Sequence, residues 1–82
     1  MAMPTVKLTK SAVDDLPPGA SLWDQAVRGF GVRRQSLDPV FIVKARVNGR
    51  QRFLTIGRHG SPWTVETARN EARRLLGEIA SG

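Results

Sequence analysis

Cysteine is absent from this 82-residue sequence. That excludes a disulfide scaffold, a thiolate metal site and a cysteine nucleophile together. Tyrosine is absent too, and His59 is the single histidine. Neither a histidine cluster for zinc nor a histidine pair for acid–base work can be assembled. Long apolar runs are missing: the longest, Val40–Val43, is four residues, against the roughly 20 a membrane helix requires. Met1–Lys10 lacks the apolar stretch of a signal peptide. Gly29-Phe30-Gly31 lacks the third glycine and the strand-before, helix-after context of a phosphate loop. The expectation is a single basic domain in the cytoplasm, with no membrane contact, no metal, no cofactor and no enzymatic activity of its own.

What the chain does have is positive charge, unevenly placed. Thirteen Lys and Arg stand against seven Asp and Glu, a formal net charge of +6. Residues 1–27 carry a net −1 and residues 59–82 a net 0. Residues 28–58 hold Arg28, Arg33, Arg34, Lys44, Arg46, Arg50, Arg52 and Arg58 against Asp38 alone, a net +7. Seven of those eight cations are arginines, the planar forked donors suited to phosphate and guanine. A purely solubilising charge would mix signs along the chain.

Leu8, Ala12, Val13 and Leu16 recur at helical spacing behind Thr9 as N-cap, and Pro17-Pro18-Gly19 stops that short helix. Ser21–Asp24 reads as extended. Three strands follow: Gly29–Gln35, whose glycines suggest a bulge or a close backbone approach, then Val40–Val47 and Arg50–Gly57. Ser36–Pro39 is turn chemistry, and Asn48-Gly49 is the strongest two-residue hairpin signal. The turn sets a register in which Val47 faces Arg50, Ala45 faces Arg52, Val43 faces Leu54 and Phe41 faces Ile56, forming the core side. The other side pairs Arg46 with Gln51, Lys44 with Phe53 and Ile42 with Thr55, with Arg33 joining from the first strand. Arg34 would turn inward at the sheet edge with its head in water. After Pro62-Trp63, Thr64 caps a helix to about Ala80, ahead of Gly82, whose stripe is Val65, Ala68, Ala72, Leu75, Leu76 and Ile79. The fold expected is α+β: a short N-terminal helix, a three-stranded antiparallel sheet, and a long C-terminal helix, both helices on one sheet face.

The open hairpin face carries the functional signal. A B-DNA major groove is about 12 Å wide and admits a two-stranded ribbon. Lys44, Arg46, Gln51 and Thr55 would face base edges, while Arg50, Arg52 and Arg58 suit phosphates. The plain alternative is a solvated face; cross-strand crowding of like charge, and Ile42 and Phe53 exposed beside it, favour a polyanion partner. Trp23 and Trp63 read as core closures ahead of base-stacking platforms. His59 reads as a loop residue with a phosphate contact as the sharper option, and Arg69 and Arg73 as a solvated helix face.

Leu8-Thr9, Trp23-Asp24, Gly29-Phe30-Gly31-Val32-Arg33, Arg46-Val47-Asn48-Gly49-Arg50, Leu54-Thr55-Ile56-Gly57-Arg58 and Thr64-Val65-Glu66-Thr67-Ala68-Arg69 occur in a familiar order. From about Lys7 to Gly82 the chain resembles the N-terminal arm-type DNA-binding domain of phage and genomic-island tyrosine recombinases (integrases). The resemblance implies a sheet whose open face enters the major groove at arm sites, with Arg33, Lys44, Arg46, Gln51 and Thr55 on that face. It further implies that residues 1–82 are one domain of a longer integrase in a bacterial host. The partners it implies are double-stranded DNA, the catalytic and core-binding domains of that integrase, and an integrase oligomer. Three residues depart from the family pattern. Arg34 stands at a usually apolar place, Ala45 at a larger core place, and Phe53 at an often basic one, where it could meet a thymine methyl. Family recombinases cleave with a tyrosine, so such chemistry would lie outside this sequence. Two other functions compete: double-stranded RNA binding, because helix–strands–helix is also that class's order, and a protein-interaction module for an acidic partner. Thr64-Val65-Glu66-Thr67, with one acid and no lysine, argues against duplex RNA.

Overall fold

A computed structural model of the chain describes residues 5–35, 38–60 and 63–81. In chain order the elements are β1 (Thr5–Val6), α1 (Lys10–Asp14), β2 (Ser21–Asp24), β3 (Phe30–Arg33), β4 (Val40–Val47), β5 (Arg50–Arg58) and α2 (Val65–Ser81). Ser36 and Leu37 of the expected turn, Pro62 and the Gly82 stop lie outside the described residues.

The hairpin forms as its turn chemistry requires. Asn48 and Gly49 both adopt positive φ, 53° and 78°, which a type I′ turn demands and a β-branched residue would resist. Val47 then pairs with Arg50, Ala45 with Arg52, Lys44 with Phe53, Val43 with Leu54 and Ile42 with Thr55. One pair departs from expectation. Phe41 lies opposite Gly57 and not Ile56, because a β-bulge between Phe41 and Ile42 leaves Ile56 as an extra residue on β5. Simple alternation from the turn could not foresee that insertion.

The sheet is larger than the expected three strands. It has five, in the order β1-β2-β3-β4-β5, and is mixed: β1 runs parallel to β2 while the other pairs are antiparallel. The extended Ser21–Asp24 segment is a full member, pairing Leu22 with Val32 and Trp23 with Gly31. The N-terminal helix is shorter than the spacing of Leu8 to Leu16 suggests. Thr9 caps it as expected, its hydroxyl accepting from Ala12 N–H at 3.2 Å. The helix is five residues long, because Leu8 N–H is held at 3.1 Å by the Asp24 carboxylate and Pro17 closes the other end.

One face of the sheet is covered. Phe30, Val32, Phe41 and Val43 are fully buried there with Leu8, Val13 and Leu16 from around α1 and Val65, Ala68 and Ala72 from α2. The small Ala68 and Ala72 bring α2 close to the strands, as the stripe predicted. Its first turn is tied by a reciprocal pair: Thr67 N–H donates to Thr64 Oγ1 at 3.2 Å, and Thr64 N–H donates to Thr67 Oγ1 at 2.8 Å. Phe30 and Phe41 stack at 5.8 Å between centroids inside this core.

Candidate nucleic-acid interface

Strand pairing delivers side chains to the uncovered face. Arg33 pairs with Val40 and Gly31 with Ile42 across β3 and β4, while Lys44 opposes Phe53 and Arg46 opposes Gln51 across β4 and β5. Thr55 continues that row. The bulge adds a member. Counting alternately from Thr55, Arg58 would fall on the helix side; the extra Ile56 shifts the phase, so that Arg58 opposes Val40 and joins Arg33 on the open side. The face is hollowed on both sides of the Lys44–Phe53 pair. One hollow is lined by Trp23, Arg28, Lys44, Arg46 and Gln51, the other by Arg33, Ile42, Phe53, Thr55 and Arg58.

The charge here is unneutralised. Among the described residues Arg33, Lys44, Arg46, Arg50 and Arg52 have no carboxylate partner. Arg58 alone on this face approaches an acid, Asp38 at 3.9 Å, with both side chains exposed. Arg50 and Arg52 pair with Val47 and Ala45, so they stand at the hairpin end on the opposite side from Lys44 and Arg46. The nine expected contact residues therefore divide: Arg33, Lys44, Arg46, Gln51, Phe53, Thr55 and Arg58 share the open face, and Arg50 and Arg52 flank it.

Two apolar expectations change. Ile42 lies on the open face but is buried, 6% exposed, whereas Phe53 is 50% exposed. Trp23 is buried yet stands outside the core cluster. Its ring lies over Gly31 on the open side, 6.4 Å from the Phe53 ring, with Lys44 Nζ 5.7 Å from the indole centroid. The glycine at 31 was the available signal, since a glycine inside a strand marks a close approach. Trp63 instead packs against the core, its indole seated on Gly57.

Arg69, Arg34 and His59 turn out to serve the fold. Arg69 is not a solvated helix residue. Its Nε donates to Asp24 Oδ2 at 2.9 Å and its Nη2 to Leu8 O at 2.8 Å. Asp24, with a side chain 0% exposed, also accepts from Leu8 and Val27 N–H at 3.1 and 3.2 Å. Burial alone would raise the Asp24 pKa, but the Arg69 guanidinium and these N–H donors outweigh it and hold the carboxyl below its ordinary value. Arg34, expected with its head in water, donates from Nη1 to Leu16 O at 2.8 Å, closing the Pro17–Pro18 turn onto the sheet. His59 packs edge-on against Phe41 at 5.6 Å and donates from Nε2 to Asp14 Oδ1 at 2.9 Å. That hydrogen bond is the main reason the Asp14 pKa is lowered. The phosphate contact considered for His59 is replaced by this strap from β5 to α1.

Among the described residues no helix is long and apolar enough to cross a membrane. The family model of the arm DNA-binding domain matches residues 8–82. No curated protein and no solved structure matches the chain.

Proposed function

The chain belongs to the arm DNA-binding domain family, a family of DNA binding, and on that premise we propose that it reads double-stranded DNA through the open face of β3, β4 and β5 laid in the major groove. The observation that carries this is the pairing of Lys44 with Phe53 and Arg46 with Gln51 on the face away from α2, with no carboxylate among the described residues to neutralise either cation. Strands stand about 4.8 Å apart, so the β4–β5 ribbon fits a groove about 12 Å wide. Lys44, Arg46 and Gln51 meet base edges, Phe53 and Thr55 continue the row, and Arg33 and Arg58 sit at its other end. Arg50 and Arg52 hold phosphates beyond the hairpin tip.

In the finer reading the domain positions a phage-type integrase on arm sites flanking the recombination core, in the cytoplasm of a bacterial host. The parent protein is then a site-specific tyrosine recombinase whose nucleophile, catalytic domain and core-binding domain lie outside these residues, and which acts as an oligomer. Duplex RNA is disfavoured by the start of α2. Thr64 and Thr67 there bond each other, beside Glu66, and no lysine faces outward.

The test uses the duplex most enriched by the chain from a randomised DNA pool. Replacing Lys44 and Arg46 together by alanine should weaken binding to it by about thirtyfold or more, since each base-reading contact contributes about 1–3 kcal/mol. Unchanged affinity in the double variant defeats the proposed face. Duplex RNA outcompeting that DNA would replace the DNA reading with an RNA one.

A further inference from the structure

We infer that Trp23 is a positioning residue of the DNA-reading face, fixing the two side chains that oppose each other at its centre; this deepens the DNA-binding reading and rests on it. Trp23 belongs to β2, two strands away from the β4–β5 ribbon, yet its ring spans the gap. It does so because β3 offers no side chain in between. A Cβ at residue 31 would lie 2.6 Å from Trp23 Cε3, 3.0 Å from Cζ3 and 2.6 Å from the Leu22 carbonyl oxygen, so any residue but glycine would displace both the ring and the β2 backbone that carries it. Lying flat, the indole meets Phe53 at 6.4 Å between centroids and a 42° tilt, within the range of favourable aromatic pairs. It also lies 5.7 Å from Lys44 Nζ, within cation–π reach.

The core does not account for Trp23. It is outside the core cluster, and its buried Nε1 has no hydrogen-bond partner among the described residues. What its ring does contact is the pair Lys44 and Phe53. A lysine on an exposed strand samples many rotamers, and ordering it at binding weakens affinity. Lys44 resting on an indole is already confined, and Phe53 is held upright although half exposed.

The inference is tested first in the free chain by NMR. The Lys44 δ and ε methylene protons should be shifted upfield by the indole ring current, and Trp23→Leu should return them to ordinary lysine values. Ordinary values in the unaltered chain overturn the inference outright. Second, a double-mutant cycle is measured on the selected duplex. Trp23→Leu should weaken binding about tenfold in the presence of Lys44 and much less in Lys44→Ala. Trp23→Phe, which keeps a ring, should recover most of the loss. Additive effects, or full affinity in Trp23→Leu, overturn the positioning role while leaving the DNA reading intact. Failure of the unaltered chain to bind any duplex overturns both. Should Trp23→Leu not fold, the ring-current shift and the Trp23→Phe affinity decide the matter.

Discussion

The arginines of α2 and those of the β4–β5 hairpin are the same side chain in different company. On α2, Arg69 is bound to buried Asp24, Arg74 lies 2.7 Å from both Glu71 and Glu78, and Arg73 reaches Asn70 at 3.3 Å. On the hairpin, Arg46, Arg50 and Arg52 meet no carboxylate among the described residues. In the first group Arg69 and Arg74 have their charge balanced by carboxylates, while Arg73 meets only a neutral amide among the described residues; the second group presents its charge outward. A count of basic residues therefore overstates α2 and understates the hairpin. The relevant measure is charge without an internal partner, because only that charge can release counterions from a polyanion.

The largest way to break the contrast is at Asp24. Asp24→Asn leaves Arg69 without its anion and turns amide hydrogens toward either the Leu8 or the Val27 donor, which bond different oxygens of the carboxylate. Removing one partner of a pair this buried should cost about 3 kcal/mol of folding stability, read as a fall in the denaturation midpoint, with duplex affinity per folded molecule unchanged. A pH series sharpens this result. The folded-state pKa of Asp24 is lowered, so its contribution is complete above the unfolded carboxyl value of about 3.9. It is lost as pH falls through the folded value. The stability gap between the unaltered chain and Asp24→Asn should hold steady from pH 7 to pH 5 and close in acid. A gap that widens in acid would contradict the assignment.

A smaller effect is expected at the hairpin tip. Arg50→Ala and Arg52→Ala should each reduce affinity less than tenfold for any duplex sequence. Each should lower the salt slope of binding by about 0.9, measured by titration at several salt concentrations, with stability unaffected. A change in sequence preference would move these residues from phosphate contact to base reading. The smallest effect belongs to Arg74. Its ion pairs are exposed, so Arg74→Ala should leave the denaturation midpoint and the duplex affinity without a resolvable change.

How far the sequence revealed these two groups depended on the distance over which each is determined. The hairpin, its turn and six of its pairings follow from Asn48-Gly49 and the alternation of Val40–Val47, all local signals. The α2 stripe and the Thr64 cap are local too. The partners of Arg69 are not: Asp24 is 45 positions away, and i,i+3 or i,i+4 spacing on a helix carries no information about it. β1 escaped because two residues cannot display a period, and it exists only by pairing with β2. Trp23 reads as core from the sequence because aromatic residues beside element boundaries usually are; its placement over Gly31 depends on the β2–β3 register, which no turn between those strands advertises. Most of the residues that share the open face are thus legible in the sequence, whereas Arg58, placed by the bulge, and the groups that support the face are not.

The bulge at Ile56 carries one more implication. Ironing it out, so that Ile56 faced Phe41 and Gly57 faced Val40, would leave the composition and the net charge untouched. It would nonetheless rotate Arg58 to the helix side and bring Gly57 out to the surface. Two pairings of one sequence would then differ by a whole cation on the open face. Which face the far end of β5 shows is written partly in a register, the place where the strand takes its extra residue, and not in any one side chain.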